Sequence, residues 1–118
     1  MKVRTDFVTN SSSSSYICLK VKSNLEGDIL AADGLTEDSI CHQADEDYAD
    51  EIALRGKLEA VMGEGYIAYI GWTLNVLDMM HKSIQQLREE LIADIKANYN
   101  IAVSEDEILF DYGEISRY

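Results

Sequence analysis

The sequence predicts an α+β domain, with a small antiparallel sheet formed by N- and C-terminal strands and packed against two longer helices. Three observations carry this. Residues 16–22 alternate with a period of two, and Leu74, Leu77, Ile84, Leu87, Leu91 and Ile95 recur at helical spacing. Close to the C-terminus, Ile108, Leu109 and Phe110 follow a Ser104-x-x-Glu107 capping pattern. With 118 residues one core is the default. Residues 1–15 form a flexible serine-rich lead in this division, and residues 16–118 the single domain.

From Tyr16 onward, Ile17, Leu19 and Val21 share one face of a strand, and Tyr16, Cys18, Lys20 and Lys22 the other. The turn-forming stretches "SNLEGD" and "AADG" flank Ile29, Leu30 and Ala31, which predicts a short second strand in a hairpin with the first. Thr36, followed by Glu37, Asp38 and Ser39, reads as the N-cap of a brief helix, its acids placed at the positive end. Tyr48, Ile52, Leu54, Leu58, Val61 and Met62 step mostly by three and four, predicting a helix from Asp47 that stops near Gly63 and Gly65. "YIAYIG", 66–71, is a short apolar run between glycines and is read as a strand. The longest helix is expected over Thr73–Asn98, ending in "NYN"; one helical turn at Ser104 then precedes the last strand, and "GEISRY" is read as a loose finish. Val76, Met79, Met80 and Ile92 widen the apolar face of that long helix, which predicts a homodimer through it unless the helix at residues 47–62 covers the same surface within one chain.

Composition sets the functional frame. The net charge is −12 at a hydrophobic content of 47%, so the acids decorate a folded body rather than a disordered chain. The charge is regional: residues 1–22 balance at +3, and residues 23–70 at −10. Such a surface repels nucleic-acid phosphates and anionic membranes, leaving basic proteins or cations as partners. No stretch of eighteen apolar residues occurs, and the N-terminus lacks the layout of a secretory signal, so a cytoplasmic location is expected. There Cys18 and Cys41 are expected as reduced, packed thiols.

The segment "RTDFVTNSSSSSYI", Arg4 to Ile17, resembles an N-terminal signature carried by many small bacterial proteins, mostly from Firmicutes and their relatives. Tyr16 stands where Phe is commoner in that group, and "SEDEILFDYGEI", Ser104 to Ile115, is similar to its C-terminal endings. The resemblance implies a group and no activity.

Three roles fit the serine run. It can be a solvated lead, since serines compete for backbone hydrogen bonds and bury little. It can be a recognition or modification tag comprising Asn10, Ser11, Ser12, Ser13, Ser14, Ser15 and Tyr16, because serine hydroxyls accept phosphate or other groups. Or "DFVTN" can add to a sheet edge. Among other candidates, Asp45, Glu46, Asp47, Asp50 and Glu51 supply oxygens, but Ala49 and Asp50 stand where an EF-hand needs its glycine turn, so no metal is expected; acids gathered at a helix N-terminus account for them. His42 and His81 lack partners at a ligand spacing, and adjacent Cys41 and His42 diverge by about 100° on a helix. Asp111 and Glu114 form a possible carboxylate pair for acid–base chemistry. No cofactor motif is present: "GEGYIAYIG" is neither a phosphate loop nor a dinucleotide fingerprint. The expectation is a non-enzymatic acidic interaction module with a protein partner; the alternative is a small carboxylate-based hydrolase or transferase, with or without a divalent cation.

Overall fold

The computed structural model describes residues 13–63 and 65–116. The expected tag residues Asn10, Ser11 and Ser12 lie outside them. The strands are β1 (Ser13–Val21), β2 (Glu51–Ala53), β3 (Glu59–Met62), β4 (Ile67–Thr73) and β5 (Ile108–Ser116). The helices are α1 (Ser23–Ala31), α2 (Glu37–Asp47), α3 (Val76–His81) and α4 (Ile84–Tyr99), with a 3-10 turn at Glu105–Glu107. The five strands form one antiparallel sheet in the order β2-β3-β4-β1-β5, so this is an α+β fold whose N- and C-terminal strands pair.

The period-two alternation of β1 sorts its side chains as expected. Leu19 and Val21 enter the main core, which they share with Leu25 and Ile29 of α1, Ile40 and Ala44 of α2, and Leu87, Leu91 and Ile95 of α4. These helices therefore lie on one face of the sheet, where burying their apolar stripes supplies the main driving force. β1 is central, flanked by β4 and β5, and its ladder with β5 runs from Ser13↔Ser116 to Val21↔Ile108. The strand thus starts three residues before the expected boundary at Tyr16, and "GEIS" at the other end is ladder, not loose coil.

Three elements depart from expectation. Ile29–Ala31 belongs to helix α1, not to a strand: Leu25 and Ile29, four apart, both face the core. Glu26 of that helix lies against the backbone of Ile70, which pairs with β3 on one side and stands just beyond the last β1–β4 pair, Lys20↔Gly71, on the other. The expected helix from Asp47 is instead the β2–β3 hairpin. Its apolar residues satisfy both periods, since Ile52 and Leu54, and Leu58, Ala60 and Met62, also alternate by two. The turn settles it: Gly56 has φ +62°, and Arg55 beside it donates to the carbonyl of Asn98 at 2.8 Å and to Asp33 Oδ1 at 2.9 Å while facing the Tyr99 ring. These bonds tie the turn to the end of α4, a contact a helix at residues 47–62 would not make.

The long helix expected from Thr73 is broken. β4 occupies Thr73, and two capping boxes, Asn75 with Asp78 and Ser83 with Gln86, start α3 and α4 separately. Lys82 between them is extended. Thr36 does cap α2, in a reciprocal box with Ser39, but the helix runs eleven residues and is not brief. The stop at Asn100, in the left-handed region at φ +58°, and the turn at Ser104 with Glu107 stand as expected, as does a strand within 66–71. Among the described residues no helix is long and apolar enough to cross a membrane.

Candidate functional site

The second face of the sheet mixes charged and polar side chains with an apolar cluster of Cys18, Val61, Tyr69 and Ile115. Opposite residues of a ladder share a face, so Cys18, paired with Thr73 on β4 and Asp111 on β5, marks that face, with Tyr16 and Lys20 two residues to either side. Tyr69, Val61, Glu59 and Glu51 continue it onto β4, β3 and β2 through the pairs Val61↔Tyr69, Glu59↔Gly71 and Glu51↔Val61. Two of the residues singled out from sequence meet here. The Tyr16 hydroxyl donates to Asp111 Oδ2 at 3.4 Å, and Lys20 Nζ pairs with the same oxygen at 2.8 Å. Asp111 Oδ1 accepts the N–H of Tyr112 at 2.9 Å.

The electrostatics follow from these contacts. The Lys20 hydrogen bond holds the Asp111 carboxyl below the usual carboxylate range, and Asp111 in return raises Lys20. Burial, with the Asp111 charge as a second contribution, pushes the Cys18 thiol up to about 12. Burial likewise raises Tyr69, whose hydroxyl hydrogen bonds with Thr73 Oγ1, and raises Tyr16, whose ring tilts against that of Tyr69 at 5.2 Å. Cys18 is therefore a protonated, packed thiol, and Asp111 an ion-pair acceptor rather than a proton donor.

The pair gives a pH prediction. Asp111 is depressed, so its contribution is present above the unfolded carboxylate value of about 3.9 and is lost as pH falls through the lower folded value. Lys20 is raised, so its contribution is present below about 10.4 and is lost as pH rises through the higher folded value. Both side chains are about one-third exposed (30% and 34%), which limits the coupling to about 1 kcal/mol or less. A double-mutant cycle with Lys20→Met and Asp111→Asn should show that coupling at pH 7 and a smaller one as pH falls below the ordinary carboxylate range. Coupling that stays equal across that fall would contradict the assignment.

The remaining candidates do not converge. Asp111 and Glu114 are three apart on β5 and project to opposite faces, so they do not form a pair. Asp45, Glu46 and Asp47 lie in the last turn of α2, where the dipole is unfavourable, and not at a helix N-terminus; Asp50 precedes β2 and Glu51 opens it. His42 Nε2 lies 3.3 Å from Glu46 on the exposed side of α2. Cys41 and Cys18 are free thiols. His81 lines a hollow of about 230 Å³ beside Lys57, Trp72 and Asp78. Among the described residues no group of three or more His, Cys, Asp or Glu side chains is placed to hold a metal ion.

Sequence reasoning missed Glu51 and Glu59 as facing groups. Their signal was the alternation with Ile52 and Ala60, hidden while 47–62 read as a helix. No family model, curated protein or solved structure matches this chain.

Proposed function

We propose that this chain is a non-enzymatic, acidic interaction module of the cytoplasm, whose segment Asn10 to Tyr16 is recognised or modified by a protein partner. One observation carries the reading. The two stretches that resemble the bacterial group, at the N- and C-termini, are distant in sequence and adjacent in space, since Ser13 to Val21 pairs residue for residue with Ile108 to Ser116. The C-terminal strand anchors the tag's second half, Ser13 to Tyr16, against Gly113 to Ser116. A segment held in that way offers a partner a fixed starting point, which lowers the ordering cost of binding.

The alternative, a cation-dependent hydrolase or transferase using Asp111 and Glu114, has lost its carboxylate pair to the alternation of β5. The homodimer expected through the long helix also narrows: Leu87, Leu91 and Ile95 are internal, and the apolar groups left outside are Val76, Leu77 and Met80 of α3. Intact mass of the chain purified from its own host tests the tag. Added mass mapping to residues 11–15, lost when those serines are replaced by alanine, is the expected result. An unmodified chain whose partner capture also survives the replacement overturns the reading.

A further inference from the structure

The sheet ends at β5, and among the described residues no strand lies beyond it. Edge strands of stable monomers are kept short or are interrupted by Lys, Pro or a bulge, because an open row of backbone N–H and C=O groups recruits another strand. β2, at the opposite edge, is three residues long. β5 has none of these devices: it runs nine residues, Ile108–Ser116, contains no Lys, Arg or Pro, and pairs with β1 without a register shift. It also exposes apolar groups. Leu109 is 37% exposed, Phe110 40% and Tyr112 71%, and the Phe110 and Tyr112 rings stand 6.4 Å apart.

The direction of the β5 backbone groups follows from one hydrogen bond. Bonded and non-bonded pairs alternate along an antiparallel ladder, and the Lys22 N–H donates to the Glu107 carbonyl at 3.0 Å. The pairs Lys20↔Leu109, Cys18↔Asp111 and Tyr16↔Gly113 are therefore the bonded ones, and Phe110, Tyr112 and Glu114 turn their backbone groups outward. Two contacts agree. The outward Ile108 carbonyl accepts from Arg88 Nε at 3.2 Å, and the outward Tyr112 N–H donates to Asp111 Oδ1 at 2.9 Å, a side chain standing where a strand would. The stretch left open, Phe110 to Glu114, is symmetric about Tyr112, which makes it complementary to itself under a two-fold rotation. We infer that β5 pairs antiparallel with β5 of a second copy, Tyr112 opposite Tyr112, so that two five-strand sheets become one. In that register Phe110 faces Glu114, Asp111 faces Gly113 and Leu109 faces Ile115, so no acid meets an acid. The Phe110 and Tyr112 rings of both copies gather on one face, each Phe110 diagonal to the other copy's Tyr112. Centring on Asp111 instead would set that carboxylate against its own copy. On pairing, the Tyr112 N–H exchanges Asp111 Oδ1 for the carbonyl of the second copy's Tyr112.

This concerns assembly through a strand edge and stands whether or not a partner reads the serines. An interface of one strand pair is small and weak, so sedimentation of the full chain at about 100 µM is the measurement. A species of twice the 13.3 kDa chain mass is expected. Glu114→Pro removes an outward N–H and leaves the donors to β1 in place. Tyr112→Lys sets two cations against each other at the axis. Each change acts twice across the two-fold and should weaken the dimer about tenfold or more, with the far-UV circular dichroism kept. Tyr112→Phe, which retains the ring, should dimerise as the parent does. A single species at the chain mass overturns the inference. So do folded Glu114→Pro and Tyr112→Lys chains that dimerise undiminished, because another surface, such as Val76, Leu77 and Met80 of α3, then joins the copies. Were Glu114→Pro to unfold, Tyr112→Lys is read alone.

Discussion

Gly71→Ala is expected to be among the most damaging single substitutions in the domain. A Cβ at this position would run into the carbonyl oxygen of Leu19 and lie 2.7 Å from Lys20 Cα, both backbone atoms of the neighbouring strand. No rotamer can relieve a backbone clash, so β1 and β4 would have to part at Lys20↔Gly71, one of the pairs that join the β2-β3-β4 half of the sheet to β1 and β5. Overpacking costs about 1–3 kcal/mol where side chains can yield; here the cost should reach or exceed the top of that range. At about 4 °C per kcal/mol for a domain of this size, thermal unfolding should fall by about 12 °C or more. Gly27→Ala is the control, because a Cβ there meets nothing within 4 Å and Ala favours the helix by about 1 kcal/mol. A Gly71→Ala chain that melts with the parent would show that the two strands are not as close as described.

The second large effect is Leu91→Ala. Leu91 is fully buried in the middle of α4, in the core shared with β1, α1 and α2. Truncation removes its transfer free energy and leaves a cavity that a sheet on one side and helices on the other cannot close, a loss of about 2–5 kcal/mol. Urea unfolding should show a lower midpoint with an unchanged slope. Leu77, in the same apolar stripe by spacing, is 68% exposed on α3, and Leu77→Ala should stay within about 0.5 kcal/mol. The contrast separates the continuous helix expected from spacing from the two helices observed. Equal losses at Leu91 and Leu77 would mean that α3 is packed as α4 is.

How far sequence could go differed from element to element. β1 was legible because Ile17, Leu19 and Val21 alternate without exception against Tyr16, Cys18 and Lys20, and the α2 cap because Thr36 and Ser39 bond only to each other's backbone. The β2–β3 hairpin was not, since Ile52 to Met62 fits two periods at once, and the choice rests on Arg55 and Gly56 reaching α4, some forty residues away. The break at Lys82 had a local signal, the boxes Asn75-x-x-Asp78 and Ser83-x-x-Gln86, but an unbroken apolar stripe outweighed it.

The site divides in the same way. Asp111 and Tyr16 stood out in sequence, each inside a segment of the resemblance; that they touch, through a register pairing Cys18 with Asp111, is tertiary. Glu59 attracts no notice in the sequence, and Glu51 only as one of an acid cluster, until β2 and β3 turn both onto the face of Cys18 and Tyr69.

By itself the sequence determined what depends on near neighbours: the α+β class, the alternation of β1, the caps at Thr36 and Ser104, the stop at Asn100 and the regional charge. These follow from bonds and periodicities spanning a few residues. The tertiary structure alone decided which of two allowed periods residues 47–62 obey, where the long apolar stripe breaks, and that all the packed helices fall on one side of the sheet. Those outcomes depend on contacts between segments tens of residues apart, whose energies no local pattern contains.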